Sequence, residues 1–388
     1  MRACDEAMNG DPVVHWIENE EPKSARWRAE SGLAPPQKIV VADDRMTADA
    51  AYRFAHAGTA LLWRGDFQNA RQLLQALARR VDRQAPTAGA HIAGEAFHLH
   101  RQAQGWRANI LNKLLLTLNA DYSVPLRRAP DVRQACSEAY GPGGVSEASS
   151  LISLRELQGL IGAHEWRKKG VPVAALNNRI YPHYGVFAPV RSEYVGLVND
   201  APLPAALAAD SLAFDIGTGT GVLAAVLARR GIARVIATDQ NPRALACARE
   251  NLARLGLADQ VNVTQADLFP AGRASLIVCN PPWVPAQPNS PLDEAIFDPD
   301  SRMLRGFLAG LAAHLTPDGE GWLVLSDIAE HLGLRTRDEL LAMIANTGLT
   351  VAGRLGVRPT HRRVSDTSDP LHAARAAEIT SLWRLVVR

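Results

Sequence analysis

A chain of 388 residues, 47% hydrophobic and 21% charged, has the composition of a folded protein of two or three domains, which excludes wholesale disorder. No run of about 18 apolar residues occurs, so neither a transmembrane helix nor a membrane partner is expected. The net charge of +2 is uneven: −4 over residues 1–50, +8 over 51–180 and −2 over 181–388. A basic middle section hints at an anionic partner, although Arg-rich solvated helix faces would give the same count. Met1-Arg2-Ala3-Cys4 lacks the apolar core of a secretory signal. Cys4, Cys136, Cys247 and Cys279 have neither metal-ligand nor disulfide-framework spacing, and a reducing cytoplasm is expected.

Residues 1–44 read as irregular, from the acidic cluster Glu18-Asn19-Glu20-Glu21-Pro22 and the Pro35-Pro36 step. A mainly helical domain is expected over 45–180. Thr47 is its first N-cap, and Leu61, Leu62, Phe67, Leu73, Leu74 and Leu77 recur at helical spacing around a break at Gly65-Asp66. Gln84–Gly94 reads as a loop. A second helical stretch runs from about 95 to 118, with Phe97, Trp106, Ile110, Leu114 and Leu115 on its apolar side. Short helices are expected at 130–139 and 151–165, separated by Gly141-Pro142-Gly143-Gly144.

From about residue 181 the texture changes. Apolar runs at 212–214, 235–238, 261–263, 276–278 and 322–325 alternate with helical stretches at 221–230, 242–255, 302–315 and 336–347. Alternation of this kind means a mostly parallel α/β sheet over 181–388. Two β-rich runs, near 350–358 and 378–387, close the chain.

Three runs end in residues that suit a nucleoside ligand. The first is Asp215-Ile216-Gly217-Thr218-Gly219-Thr220-Gly221, where glycines allow a tight turn and close approach of a ligand. Its spacing is GxGxG rather than GxGxxG, and no Lys-Ser/Thr follows, which excludes a P-loop and argues against a nicotinamide dehydrogenase. The second is Asp239, placed to accept from ribose hydroxyls or to cap the helix starting at Asn241-Pro242. The third is Asp267, with Leu268 beside it, where a carboxylate can accept from an adenine amino group.

The strongest signal is Cys279-Asn280-Pro281-Pro282-Trp283. Two prolines after an Asn end a strand and give no N–H donors, leaving a rigid turn of two acceptors, the Asn280 side-chain oxygen and the Pro281 carbonyl. Two acceptors side by side suit a planar NH₂, which Trp283 offers a flat face to stack. Accepting both hydrogens orients the nitrogen lone pair toward an electrophile. Cys279 reads as a packed strand residue, since this chemistry needs no covalent intermediate.

On these residues the segment 210–330 resembles a class I S-adenosyl-L-methionine (SAM) methyltransferase, Rossmann-like with a seven-stranded sheet. Its Asn-Pro-Pro-aromatic turn resembles that of HemK-type release-factor glutamine methyltransferases and of related methyltransferase small domain enzymes acting on nucleic-acid bases. The resemblance implies a SAM site at Asp215, Gly217, Thr218, Gly219, Gly221, Asp239, Asp267, Leu268 and Asn280, and catalysis by Asn280, Pro281, Pro282 and Trp283. It also implies an acceptor-lining segment at Phe187, Pro189, Ser192 and Glu193, and no metal. Trp283 replaces the more usual Tyr or Phe, which widens the stacking face and is expected to leave the acceptor logic unchanged. The first expectation is methylation of a protein glutamine. The alternative is an rRNA or DNA base, and less favoured are a small molecule or a noncatalytic SAM-binding protein.

Other clusters read more plainly. His98 and His100 lack a third metal ligand and sit on a polar helix face. His164–Lys169 is a charged helix end that favours the helix dipole or contacts phosphate. Arg358, His361, Arg362 and Arg363 form a basic loop near where an acceptor enters such a fold.

Overall fold

Residues 13–27, expected to be irregular, form two strands. In the computed structural model, which describes residues 12–84, 93–143, 148–205, 207, 211–288, 293–360 and 366–388, β1 (Val13–Glu18) and β2 (Glu21–Trp27) make an antiparallel hairpin. Asn19 and Glu20 turn the corner with φ of +53° and +64°, the positive pair that a two-residue hairpin turn requires. Val14 and Trp16 alternate inward and are buried. A Glu at the second turn position is atypical, so an acidic cluster read as disorder conceals a hairpin. Cys4, residues 85–92 of the expected loop, Gly144, His361, Arg362, Arg363 and Ser365 lie outside the described residues.

The chain divides into two units, Met1–Ala88 with Leu99–Glu165, and Gly89–His98 with Trp166–Arg388. In the first, β3 (Ile39–Ala42), α1 (Ala48–His56), β4 (Ala60–Trp63), α2 (Phe67–Gln84), α3 (Ala93–Leu111), β5 (Leu114–Leu118), α4 (Arg133–Tyr140), β6 (Ser150–Ser153) and α5 (Leu154–Lys169) follow. The strands form one sheet in the order β1-β2-β6-β5-β4-β3, with β3, β4 and β5 parallel. Thr47 caps α1 as expected, its side chain accepting from the Ala50 N–H.

Helical residues outnumber strand residues here, in keeping with the expected mainly helical domain, but they accompany a six-stranded sheet that the sequence reading did not foresee. Leu61-Leu62 and Leu114-Leu115, assigned to helices by spacing, lie in β4 and β5. Ala60–Trp63 is buried at every position, so it shows no alternation, and a short apolar run of this kind cannot be told from a helix by periodicity.

The charge asymmetry also dissolves on folding. Acidic residues of 1–50 share a unit with the basic section, and each unit carries a net charge of +1. Glu18 of β1 pairs with Arg64 at 2.7 Å, Asp49 pairs with Arg80, and buried Asp66 takes Arg127 and Arg128 at 3.0 and 2.6 Å.

In the second unit β7 (Val171–Val173) and β8 (Asn178–Ile180) form a small antiparallel pair. Then come α6 (Glu193–Asp200), β9 (Leu212–Ile216), α7 (Val222–Arg229), β10 (Arg234–Asp239), α8 (Pro242–Arg254), β11 (Val261–Gln265), β12 (Ala274–Cys279), α9 (Arg302–His314), β13 (Leu315–Ser326), α10 (Ile328–His331), α11 (Arg337–Asn346), β14 (Leu349–Val357), α12 (His372–Ala377) and β15 (Thr380–Val387). The four helices expected in this half appear within one residue of their expected bounds. The seven-stranded sheet runs β11-β10-β9-β12-β13-β15-β14, parallel except for β15, which is antiparallel to both neighbours. Chain order reverses at β9, which lies between β10 and β12, and in open α/β sheets ligands bind at the carboxyl edge of such a switch point. The core on the two faces is built around Phe214, Trp322 and Phe307, all fully buried. Among the described residues no helix is long and apolar enough to cross a membrane.

Candidate active site

Strand register brings the expected residues to one edge. Ile216 pairs with Thr238 on one side and Cys279 on the other. Asp239 and Asn280 therefore leave the sheet flanking Gly217, and Asp239 pairs in turn with Gln265, two residues before Asp267.

The glycine turn is held from inside by Asp215, which is 1% exposed. Its Oδ2 accepts from the Thr218 hydroxyl at 2.6 Å and from the Ala224 N–H at 3.0 Å. Asp215 and Thr218 thus fix the turn's shape, while the ligand-facing surface falls to other atoms. Gly221 is required by packing: with φ +81°, its Cβ would sit 3.2 Å from the Cα of Ala248 on α8. A Cβ at Gly217 would meet the Met303 methyl of α9 at 2.5 Å. Gly219 differs, since the position of its Cβ is open space, which leaves its backbone approachable.

Burial pushes the Asp215 carboxyl up to about 6, against a reference of 3.8. The folded state therefore holds this proton more tightly than the unfolded one. Stability from this group is lost as pH rises through the window between those two values. At neutral pH the ionised carboxylate costs about 3 kcal/mol. The Asp215→Asn variant should accordingly gain about that much relative to wild type between roughly pH 4 and 7. Urea unfolding across that range measures it, and a difference that stays flat with pH would show that burial leaves the carboxyl unperturbed.

Asp239 bridges two backbones. Its Oδ2 accepts from the Gly219 N–H at 3.0 Å and its Oδ1 from the Asn241 N–H at 2.9 Å. The α8 cap is not Asp239 but Asn241, whose side chain accepts from the Arg243 N–H. Each Asp239 oxygen keeps a further lone pair for a ligand. Asp267 is exposed, with Gln240 donating to one oxygen and Arg302 3.5 Å from the other. Leu268 takes a positive φ of 72°, and its carbonyl accepts from the Thr238 hydroxyl at 2.6 Å.

The Asn280–Trp283 turn is fastened downstream. The Val284 N–H donates to Ile296 at 3.2 Å and the Asp298 N–H to Val284 at 2.9 Å. Buried Asp298 then receives the Met303 and Leu304 N–H groups that open α9. Phe97, in the first turns of α3 that belong to the second unit, packs with Val284, Ile328, Leu332 and Leu371 just past the turn. Cys279 is fully buried and its thiol is pushed well above its ordinary value by burial, which suits a packing role.

One expectation needs correcting. The Trp283 indole N–H donates to Asn280 Oδ1 at 2.8 Å. The Trp therefore changes the acceptor logic: it occupies one of the two lone pairs on Oδ1 and fixes which way the amide points. A Phe or Tyr ring has no donor at that place. The indole ring is braced by Arg191, whose guanidinium carbon lies over it, 5.1 Å from the ring centroid, and which also pairs with buried Glu378 at 2.8 Å.

The upstream segment divides. Glu193 opens α6 and lies 3.5 Å from Arg191. Ser192 is the α6 N-cap but makes no side-chain cap bond. Pro189 is buried, whereas Phe187 is 40% exposed. Sequence reading missed Asn251, which is 1% exposed. Its amide donates to the Tyr181 and Thr220 carbonyls at 3.2 and 3.1 Å and its oxygen accepts from the Tyr181 N–H at 2.8 Å, tying this segment to the glycine turn. A buried Asn in an amphipathic helix was the available signal.

The charged end of α5 is engaged in the fold. His164 lies 3.1 Å from Glu138, and Arg167 pairs with Glu250 at 3.0 Å. Among the described residues no three His, Cys, Asp or Glu side chains gather as a metal site.

Comparison with known proteins finds relatives of one part of the chain. Residues 201–341, a little over a third of the chain, match the family Methyltransferase small domain. The chain is 38% identical over 145 residues to a release factor glutamine methyltransferase of Cereibacter sphaeroides, covering 36% of this chain and 49% of that one. It is 40% identical over 118 residues to the release factor glutamine methyltransferase of Deinococcus radiodurans, covering 27% and 42%. It is 46% identical over 69 residues to a ribosomal protein L11 methyltransferase of Pelotomaculum thermopropionicum, covering 17% and 22%. The chain thus spans about half or less of the length of these curated relatives. The matched segment 201–341 contains the switch-point glycine turn and the Asn-Pro-Pro-Trp edge, so the similarity to the methyltransferase small domain family falls on the site itself.

Proposed function

We propose that this chain is a SAM-dependent N-methyltransferase whose acceptor is a planar NH₂ group, with a protein glutamine side chain as the first candidate. The carrying observation is the pairing of Cys279 with Ile216, which sets Asn280 beside the glycine turn. The residues present suit SAM. Gly219 leaves its backbone open, and Asp239 keeps one lone pair on each oxygen after bonding Gly219 and Asn241. Asp239 would hold the ribose, Gly217–Gly221 would hold the amino-acid end, and Asp267 with Leu268 would flank the adenine. When bound, SAM supplies an electrophilic methyl group.

The chain's own residues then act on the acceptor. The free lone pair of Asn280 Oδ1 and the Pro281 carbonyl accept the two N–H bonds. Pro282 stiffens the turn, and Trp283 holds both the acceptor plane and the Asn280 amide. Catalysis is positioning and lone-pair orientation, with no covalent protein intermediate.

A protein acceptor is favoured over a nucleic-acid base on two counts. The relatives' names specify a release factor and a ribosomal protein. The +8 of the middle section, the reason to consider nucleic acid, falls to +1 for the folded unit. A translation-linked acceptor also fits the cytoplasmic setting expected from the cysteines. The test is tritiated-SAM labelling with purified release factor and with lysate from cells lacking this protein, followed by protease or nuclease digestion. Label on a release-factor glutamine, located by mass spectrometry, is expected. Label that survives protease but not nuclease would transfer the reading to a base.

A further inference from the structure

Just past the Asn-Pro-Pro-Trp turn, a cleft of about 880 Å³ is lined by Pro285, by Asp300–Arg302 and Arg305 around the start of α9, and by Arg335 and Glu339 around the start of α11. Arg335 is only 6% exposed. Its Nη1 donates to the Ser301 hydroxyl at 3.3 Å, while its Nε is buried with no hydrogen-bond partner. A guanidinium has five N–H donors and stays charged, so this group is under-satisfied.

The carboxylates nearest in its field are committed elsewhere. Glu339 closes the α11 capping box with Thr336, Glu330 pairs with Arg337 at 2.7 Å, and Asp298 caps α9. Burial accordingly pushes the Arg335 guanidinium below its ordinary value. A buried cation without a close anion is strongly disfavoured in a resting protein, and so points to an anion that arrives from outside. The wall contacting it is also strained: Asp300 and Ser301 are consecutive non-glycine residues with φ of +54° each, a conformation that clusters at ligand clamps.

The donor geometry selects the ligand class. Arg302 already meets Asp267, and Arg305 faces Asp300 and Glu339, so the unmet demand is that of one buried guanidinium, which suits a single anionic group and not the serial phosphates of a nucleic acid. We propose that this cleft binds a single carboxylate of the methyl acceptor, with Arg335 as its ion-pair partner, so that the acceptor is anchored beside the turn that holds its NH₂. This rests on the proposed function for the identity of the acceptor, but not for the existence of the anion site.

The test uses the full chain and the variants Arg335→Met and Arg335→Lys. In chloride, Arg335→Met should melt no lower than wild type, because an unpaired buried charge has been replaced by an apolar side chain of similar length. Acetate at matched ionic strength should raise the melting midpoint of wild type and not that of Arg335→Met. With release factor as acceptor, Arg335→Met should raise the acceptor KM on the order of tenfold, with a smaller effect on kcat and none on SAM affinity, and Arg335→Lys should recover part of the loss. A lower midpoint for Arg335→Met, or an acetate increment equal in both proteins, would overturn the proposal. An increment from inorganic phosphate but not acetate would overturn it in favour of a nucleic-acid phosphate. If wild type fails to label release factor, the glutamine reading falls, while the acetate comparison still decides the cleft.

Discussion

Asn280→Ala is expected to lower methyl transfer on the order of 10²–10³-fold while leaving SAM affinity within a few-fold of wild type. The substitution removes one of two acceptors for the substrate NH₂, so the nitrogen is neither oriented nor made electron-rich at the moment of attack. Little else depends on that side chain, which accepts from the Trp283 indole N–H. The turn itself is held by backbone bonds at Val284 and Asp298, so the fold should survive. Trp283→Phe separates two contributions. It keeps a stacking face but removes the N–H that orients the Asn280 amide, and a loss of about tenfold in kcat with little change in acceptor KM is expected, equal to one neutral hydrogen bond. Single-turnover rates and SAM calorimetry on both variants are the measurements. Near-normal transfer by Asn280→Ala with SAM still bound would remove Asn280 from catalysis.

How much of this was legible depended on the kind of signal. In the second unit β9 and β12, the strands that carry the site, are short apolar runs ended by residues that cannot continue them, Gly217 and Asn280-Pro281. The helices between carry caps and periodicity strong enough to fix their bounds. Order along the chain then dictates the strand-end cluster. The first unit lacks such punctuation: Ala60–Trp63 and Ser150–Ser153 are buried throughout and run close to helices. Its hairpin turns on a Glu at positive φ. Linear charge counting failed for a related reason, since Glu18 and Arg64 are distant in sequence yet share one sheet. The Trp283–Asn280 bond was hidden because motif reasoning treats the aromatic position as a ring and ignores its N–H. Arg335 carries no motif at all; among the described arginines it is the depth of its burial that distinguishes it.

Asp239→Ala is expected to weaken SAM binding on the order of 10²–10³-fold, because a carboxylate meeting two ribose hydroxyls makes two charge-assisted bonds of about 1.5–3 kcal/mol each. The competing interpretation is that Asp239 matters only as a brace, since it joins the Gly219 and Asn241 backbones. The two predict different partners for the loss. A brace would cost stability and affinity together, and Asp239→Asn, which keeps one acceptor oxygen and the side-chain shape, would restore about half of each. A ribose ligand would leave the melting midpoint of the free protein nearly as Asn241 and Asp215 set it. It would also make Asp239→Asn almost as weak as Ala, because the charge and the second acceptor are gone. Calorimetric SAM affinities and ligand-free melting curves on the same two variants decide between them. The turn is already pinned from within by Asp215 through Thr218 and Ala224, so loss of the outer brace should leave its shape in place and expose the binding deficit alone.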